Sequence, residues 1–234
     1  MKHGRLLAAA ATTGLVGGSL LLGIPAASAA PGTDKPGEAD KTVSLKASLT
    51  ELNFSGASGD ATATVKNQKI ENIAINATGL DPDAAHAIHI HFGERALHEC
   101  PTMADATQAR SASDPTRRLS TADGLPAYGP IAVSLTTTGD TTPASGLVLN
   151  RFPTSTDGEL SYNRSKIEFT DVAGVGTAKS IADGVRAGEG VLVVHGNDYN
   201  GGAYDFEAAG KSELDPSLPA EGTDPTACGV LAVN

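Results

Sequence analysis

The segment "HAIHIHFGERALHEC", residues 86–100, carries four of the chain's six histidines and one of its two cysteines. Neutral imidazole is a ligand for copper, zinc and nickel, and copper(II) binds such donors most tightly by intrinsic affinity. Side chains alternate between the two faces of a strand, so His89 and His91 share one face. His86, Ile88, Ile90 and Phe92 share the other, and the isoleucines claim that face for the core. His89 and His91 therefore point outward together, about 7 Å apart, close enough to tilt onto one ion. In "GEGVLVVHGND" Leu192 and Val194 suit the core, which leaves Val193 and His195 facing out. Three outward histidines on two strand ends make His89, His91 and His195 the candidate metal ligands. His98, seven residues after His91, is a candidate fourth nitrogen, against the plainer reading of an exposed loop histidine. His86 reads as a polar residue at the strand entrance.

The elements that must carry these residues are short. "TVSLKASL" alternates Val43, Leu45, Ala47 and Leu49 against polar neighbours. "KIENIAINATGL", "HAIHIHF", "IAVSLTT", "GLVLNRF", "ELSYNRSKIEF", "VLVVH" and "CGVLAV" follow, separated by Gly-, Pro-, Asp- and Asn-rich intervals. Helical periodicity is scarce; "TQARSAS" and "KSIADGVRAG" have room for a turn or so each. The expectation is an all-β protein, a Greek-key β-sandwich or barrel of about eight antiparallel strands. Two intervals, 99–130 and 196–226, are long for such a domain, and long loops in compact β-domains are usually functional or disordered.

Lys2, His3 and Arg5 precede the apolar run "LLAAAATTGLVGGSLLLGI" and then "AASAA", the pattern of a secretory signal peptide cut near Ala29. The expected division is a leader over 1–29, a Pro/Gly/charge-rich linker over 30–41, and one β-domain over 42–234. No later run is long enough to span a bilayer, so a secreted or cell-envelope location is expected. Losing Lys2 and Arg5 with the leader takes the formal charge from −10 to about −12, which argues against nucleic acid and anionic membranes as partners. Two cysteines in an exported chain, Cys100 and Cys228, suggest one disulfide, the alternative being two buried thiols.

His-x-His, a cysteine nine residues on, a late "VVHG" and a terminal "ACGVLAV" together resemble the Cu/Zn superoxide dismutase family. The resemblance implies that family's Greek-key fold, copper held by His89, His91 and His195, and a disulfide between Cys100 and Cys228. "GLDPDAAHAIHIHFG" is also similar, more weakly, to chordin-type (CHRD) domains, which would make the chain a metal-free structural module. Departures from the dismutase pattern are specific. There is no histidine between Glu99 and Val194, so the bridging histidine and the zinc histidines are missing and zinc is not expected. Carboxylates alone, such as Asp105, Asp114 and Asp123, rarely make a tetrahedral zinc site.

Pro225 stands where the family keeps the arginine that guides superoxide. The 196–226 loop carries seven carboxylates (Asp198, Asp205, Glu207, Glu213, Asp215, Glu221, Asp224) and only Lys211 in return, a sign that repels an anion. The expected function is copper binding with weak or no dismutase activity; a divergent copper-only dismutase, with superoxide as substrate, is the enzymatic alternative. "NDYNGGAYDFE" loosely follows a calcium loop but lacks its spacing and terminal Glu, so an Asx-rich turn is the simpler reading. The stretch also stands where the dismutase family keeps an aspartate behind its ligands, so the resemblance implies that Asp198 orients His89 or His195 through the far ring nitrogen.

Overall fold

Alternating apolar residues build the sheet. The structure, a computed structural model, describes residues 41–111, 114–202 and 204–234; the expected leader and all but the end of the expected linker lie outside the described residues. In chain order the strands are β1 (Val43–Glu51), β2 (Ser58–Lys66), β3 (Lys69–Thr78), β4 (Ile88–His91), β5 (Gln108–Ala109) and β6 (Arg117–Arg118). Helix α1 (Thr121–Tyr128), β7 (Ile131–Ser134), β8 (Leu160–Glu168), helix α2 (Ala178–Ala187), β9 (Val191–His195), β10 (Pro225–Val230) and β11 (Ala232–Val233) follow. The main sheet is antiparallel in the order β7-β4-β9-β10-β1-β2-β3-β8, with β11 added to β1 and a separate β5–β6 ribbon. The expected all-β, antiparallel class with two long loops is what the chain adopts.

Both ends of the sheet feed one core. Ile88, Ile90, Val133 and Leu192 from one end pack in the same cluster as Ile70, Ile73, Ile75 and Ile167 from the other. Side chains join the two edge strands across the gap. Tyr162 and Arg164 of β8 donate to the carbonyl of Thr136, two residues beyond β7. Helix α2 buries Ile181, Ala182 and Val185 against this core; it runs for ten residues where the sequence suggested only a turn or so.

Three segments differ from the sequence reading. "GLVLNRF" is not a strand; it holds one short 3-10 turn, Leu149–Arg151, and follows another, Pro143–Ser145. The eighth long strand is instead β2, whose "SGDATATVK" buries only Ala61, Ala63 and Val65. Small residues give a faint alternation, and β2 is held by antiparallel ladders on both sides, to β1 and, across the Asn67–Gln68 turn, to β3. The described part of "TQARSAS", residues 107–111, forms no helix and carries β5 instead; the described helix of that loop is α1. Its capping box was legible all the same: the Ser120 hydroxyl accepts the Asp123 amide, and the Asp123 carboxylate accepts the Ser120 amide.

Candidate metal centre

His89 and His91 lie in β4 opposite Val193 and Val191 of β9, and His195 ends β9 opposite Pro225 of β10. All three turn away from the main core, as strand parity requires. They are not, however, outward in the sense of exposed: His89 and His195 are 2% accessible and His91 is fully buried. The reason is tertiary. The loop carrying α1 covers this face with a second cluster that joins Ala106, Leu119 and Tyr128 to Leu52, Val191, Val193 and Cys228, and the loop before β10 lies against His89 and His195 through Leu214, Gly222 and Thr223.

One ring nitrogen from each histidine lies within 4.8 Å of those of the other two. Metal–nitrogen bonds of about 2.0 Å require nitrogens at most about 4 Å apart, so binding asks the rings to close in by less than 1 Å.

The hydrogen bonds fix which nitrogens are available. His89 Nε2 lies 3.1 Å from the Gly146 carbonyl, His91 Nδ1 2.7 Å from that of Gly129, and His195 Nδ1 2.8 Å from that of Thr223. A carbonyl only accepts, so each of these nitrogens carries the proton. The remaining three, His89 Nδ1, His91 Nε2 and His195 Nε2, are buried and have no protein partner. A buried polar atom without a partner is costly. Three of them, from three neighbouring rings, are a set of lone pairs suited to a metal ion. This donor chemistry fits copper, and equally fits other borderline first-row ions.

Burial also keeps the rings neutral. It holds His89 well below the ordinary histidine range, with repulsion from His195 and His91 adding to it. Burial, with repulsion from His195, lowers His91 to about 3, and burial lowers His195 to about 4. Protons therefore do not compete for the three lone pairs near neutral pH. Tyr128 packs on His91 with ring centres 4.4 Å apart, and Phe152 meets His89 edge-on. A cavity of about 10 Å³ lies against His89 and His195, among Ala87, Ile131, Leu147 and Leu149, room for about one water.

His98 does not join the group. Its ring stacks on Phe92, and its Nε2 bonds the Gly93 carbonyl at 2.9 Å. Phe92 belongs to the main core, on the face opposite His91, which is why the loop cannot bring His98 to the site. Asp198 does not orient a ligand histidine either. Its carboxylate accepts the amides of Asn200, Gly201 and Gly202, the Asx turn that the glycine pair suggested. Backbone carbonyls do the orienting instead, and no side-chain signal in a sequence marks them. His86 is buried too, bonded to the carbonyls of His195 and Asp81.

Cys100 and Cys228 are bonded, tying the start of the α1 loop to β10. A second tie was missed by sequence reasoning. Arg118 meets Asp224 and Glu213 at 2.8 and 2.9 Å, and Tyr199 donates to Asp224 at 2.9 Å. Asp224 is fully buried and Arg118 nearly so. Burial pushes the Asp224 carboxyl up, and the Arg118 guanidinium pulls against it. Glu221 is likewise buried and accepts the amides of Tyr199 and Asp205. The seven carboxylates counted along the chain are thus not seven free charges around the histidines. Their field is weaker than the composition of the loop suggests.

An antiparallel all-β domain with a buried, neutral three-histidine group is the class that fold and site define. No family model and no curated protein matches the chain. Among solved structures it is similar to a Cu/Zn superoxide dismutase from Brucella abortus, at 17% identity over 80% of this chain and 99% of that one, with a TM-score of 0.36.

Proposed function

We propose that the chain is an exported copper-binding protein of superoxide dismutase-like ancestry that has given up zinc and rapid dismutation. The observation that carries this reading is the set of three buried, unpartnered imidazole nitrogens, one from each of His89, His91 and His195. The order of His-x-His, disulfide cysteine, late histidine and final cysteine supports the ancestry. A copper ion held there would supply one-electron redox chemistry.

The chain's own residues bear on what that chemistry could serve. Gly129, Gly146 and Thr223 hold the ring protons on the far nitrogens, and Tyr128 and Phe152 pack against His91 and His89. Among the described residues no further histidine stands beside the three to deliver a proton, because His86 and His98 are bonded to backbone carbonyls. Pro225 supplies no positive charge, and Arg118 is neutralised by Asp224 and Glu213. Binding, buffering or slow redox turnover of copper is the function these features support.

The test is titration of metal-free protein with copper(II), followed by visible absorption and electron paramagnetic resonance. One equivalent bound in a nitrogen-rich site, and lost in His89→Ala and His195→Ala, is the expected result. No uptake of copper would point instead to a metal-free structural module. Fast turnover of superoxide by the loaded protein, against free-copper controls, would point to a copper-only dismutase.

A further inference from the structure

The Thr223 carbonyl that receives the His195 Nδ1 proton belongs to the peptide group joining Thr223 to Asp224. Every handle on that group is held. Its N–H, on Asp224, donates to the Ala220 carbonyl at 2.8 Å. Its oxygen accepts from the Thr121 hydroxyl at 2.6 Å as well as from His195. The Asp224 carbonyl accepts the Gly196 amide at 2.9 Å, next to His195 itself. The Asp224 side chain is then pinned by Arg118 through both carboxylate oxygens and by Tyr199 through one.

The contacts pair off across the two covering loops. Arg118 reaches Asp224, and three residues later Thr121 reaches Thr223. Both donors come from the β6–α1 segment, and both acceptors from the segment entering β10. Arg110 stacks over the Tyr199 ring at 4.5 Å and adds a third link between the same loops.

A buried charge pair is weak evidence for stability, since apolar residues of equal volume often serve as well. Its better-attested use is to specify one arrangement among several. Here the arrangement specified is the orientation of a single carbonyl. That carbonyl decides which nitrogen of His195 keeps its proton.

We propose that Arg118 and Asp224 are positioning residues for the metal centre: their buried ion pair locks the Thr223–Asp224 peptide and so holds His195 in the Nδ1–H form with Nε2 bare. The inference deepens the metal-centre reading above, but its first measurement needs no metal. Neither residue touches the three ligand nitrogens.

The experiment compares metal-free wild-type protein with R118K, R118M and D224N at a pH where all three histidines are neutral. Heteronuclear NMR of the imidazole nitrogens reports the tautomer of each ring separately. His91, bonded to Gly129 on another loop, serves as the internal control for folding. The expected result is a His195 tautomer that turns mixed in R118M and D224N while His91 is unchanged, with R118K restoring the wild-type signature. Copper affinity is expected to fall about 10- to 100-fold in R118M and D224N, the usual effect of losing a partner behind a ligand.

Folded R118M and D224N with unchanged His195 signals would overturn the proposal. So would failure of both variants to fold, which would make the pair a determinant of the fold alone. Wild-type protein that binds no copper would sink the metal-centre reading, yet the tautomer comparison would still decide the role of Arg118 and Asp224.

Discussion

His91 Nδ1 sits 2.7 Å from the carbonyl of Gly129, and Gly129 stands at φ +85°, ψ −179°, a backbone conformation essentially reserved for glycine. A Cβ at that position would lie 2.9 Å from the Phe92 carbonyl carbon. Gly129→Ala is therefore expected to cost about 3 kcal/mol from backbone strain and displacement together. Denaturant unfolding measures the loss, and a changed His91 tautomer with His89 unchanged would show that the strain reaches the site. Full stability in G129A would show that this carbonyl is not fixed as described.

Metal loading should stabilise the fold, because the converged nitrogens exist only in the native state. At free copper a hundred times the dissociation constant, mass action contributes about 2.7 kcal/mol, or about 5–10 °C in Tm for a domain of this size. Thermal unfolding with and without copper checks this. Chelation should reverse the gain, and His91→Ala should show none.

The bond between Cys100 and Cys228 closes a loop spanning 128 positions, for which chain entropy suggests about 5 kcal/mol of stabilisation. Reduction, or Cys100→Ser with Cys228→Ser, is expected to remove much of that and to loosen the loop over His91. Mass spectrometry after alkylation of denatured, unreduced protein should show no alkyl groups added. Two added groups would mean that the bond does not form.

Burial raises the Asp81 carboxyl to about 6, with repulsion from Asp198 adding to it and a bond from the Asp198 amide opposing it. The folded protein thus holds a proton on Asp81 that the unfolded chain, near 3.8, has already lost. The stability this contributes is present below about pH 4 and is lost as pH rises towards 6. Asp81→Asn, which mimics the protonated form, should be more stable than wild type above pH 6, with the gap closing by pH 4. Because solvent still reaches the group, the gain is about 1 kcal/mol. Melting curves across that range test the sign; a gap that widens in acid would refute it.

Copper-loaded protein should dismutate superoxide at least about a hundredfold more slowly than an enzyme that draws the anion in by positive potential. Its residual rate should rise with ionic strength as repulsion is screened. The rise should be small, since Asp224 and Glu221 are buried and Glu213 is paired with Arg118. A rate near the diffusion limit that falls with salt would contradict the site described here.

What the sequence determined by itself was local. The period of two in "HAIHIHF" and "VLVVH" fixed which face each histidine takes, because a strand has only two faces and isoleucine, leucine and valine claim one of them. The same period gave the antiparallel class, and the scarcity of cysteine left one pair to bond. Where alternation rested on alanine and threonine, as in β2, the burial signal was too small to read, and "GLVLNRF" took its place by hydrophobicity alone. Tertiary structure decided the rest. Only the packing of three distant segments, the α1 loop, the β7–β8 connection and the loop before β10, buried the histidines, and only their backbone carbonyls at Gly129, Gly146 and Thr223 selected the bare nitrogens. Only folding brought Arg118 to Asp224, which turned a loop that reads as free negative charge into a buried, neutralised tie. Such contacts join residues from 28 to 106 positions apart, and no local period in a sequence records a partner at that distance.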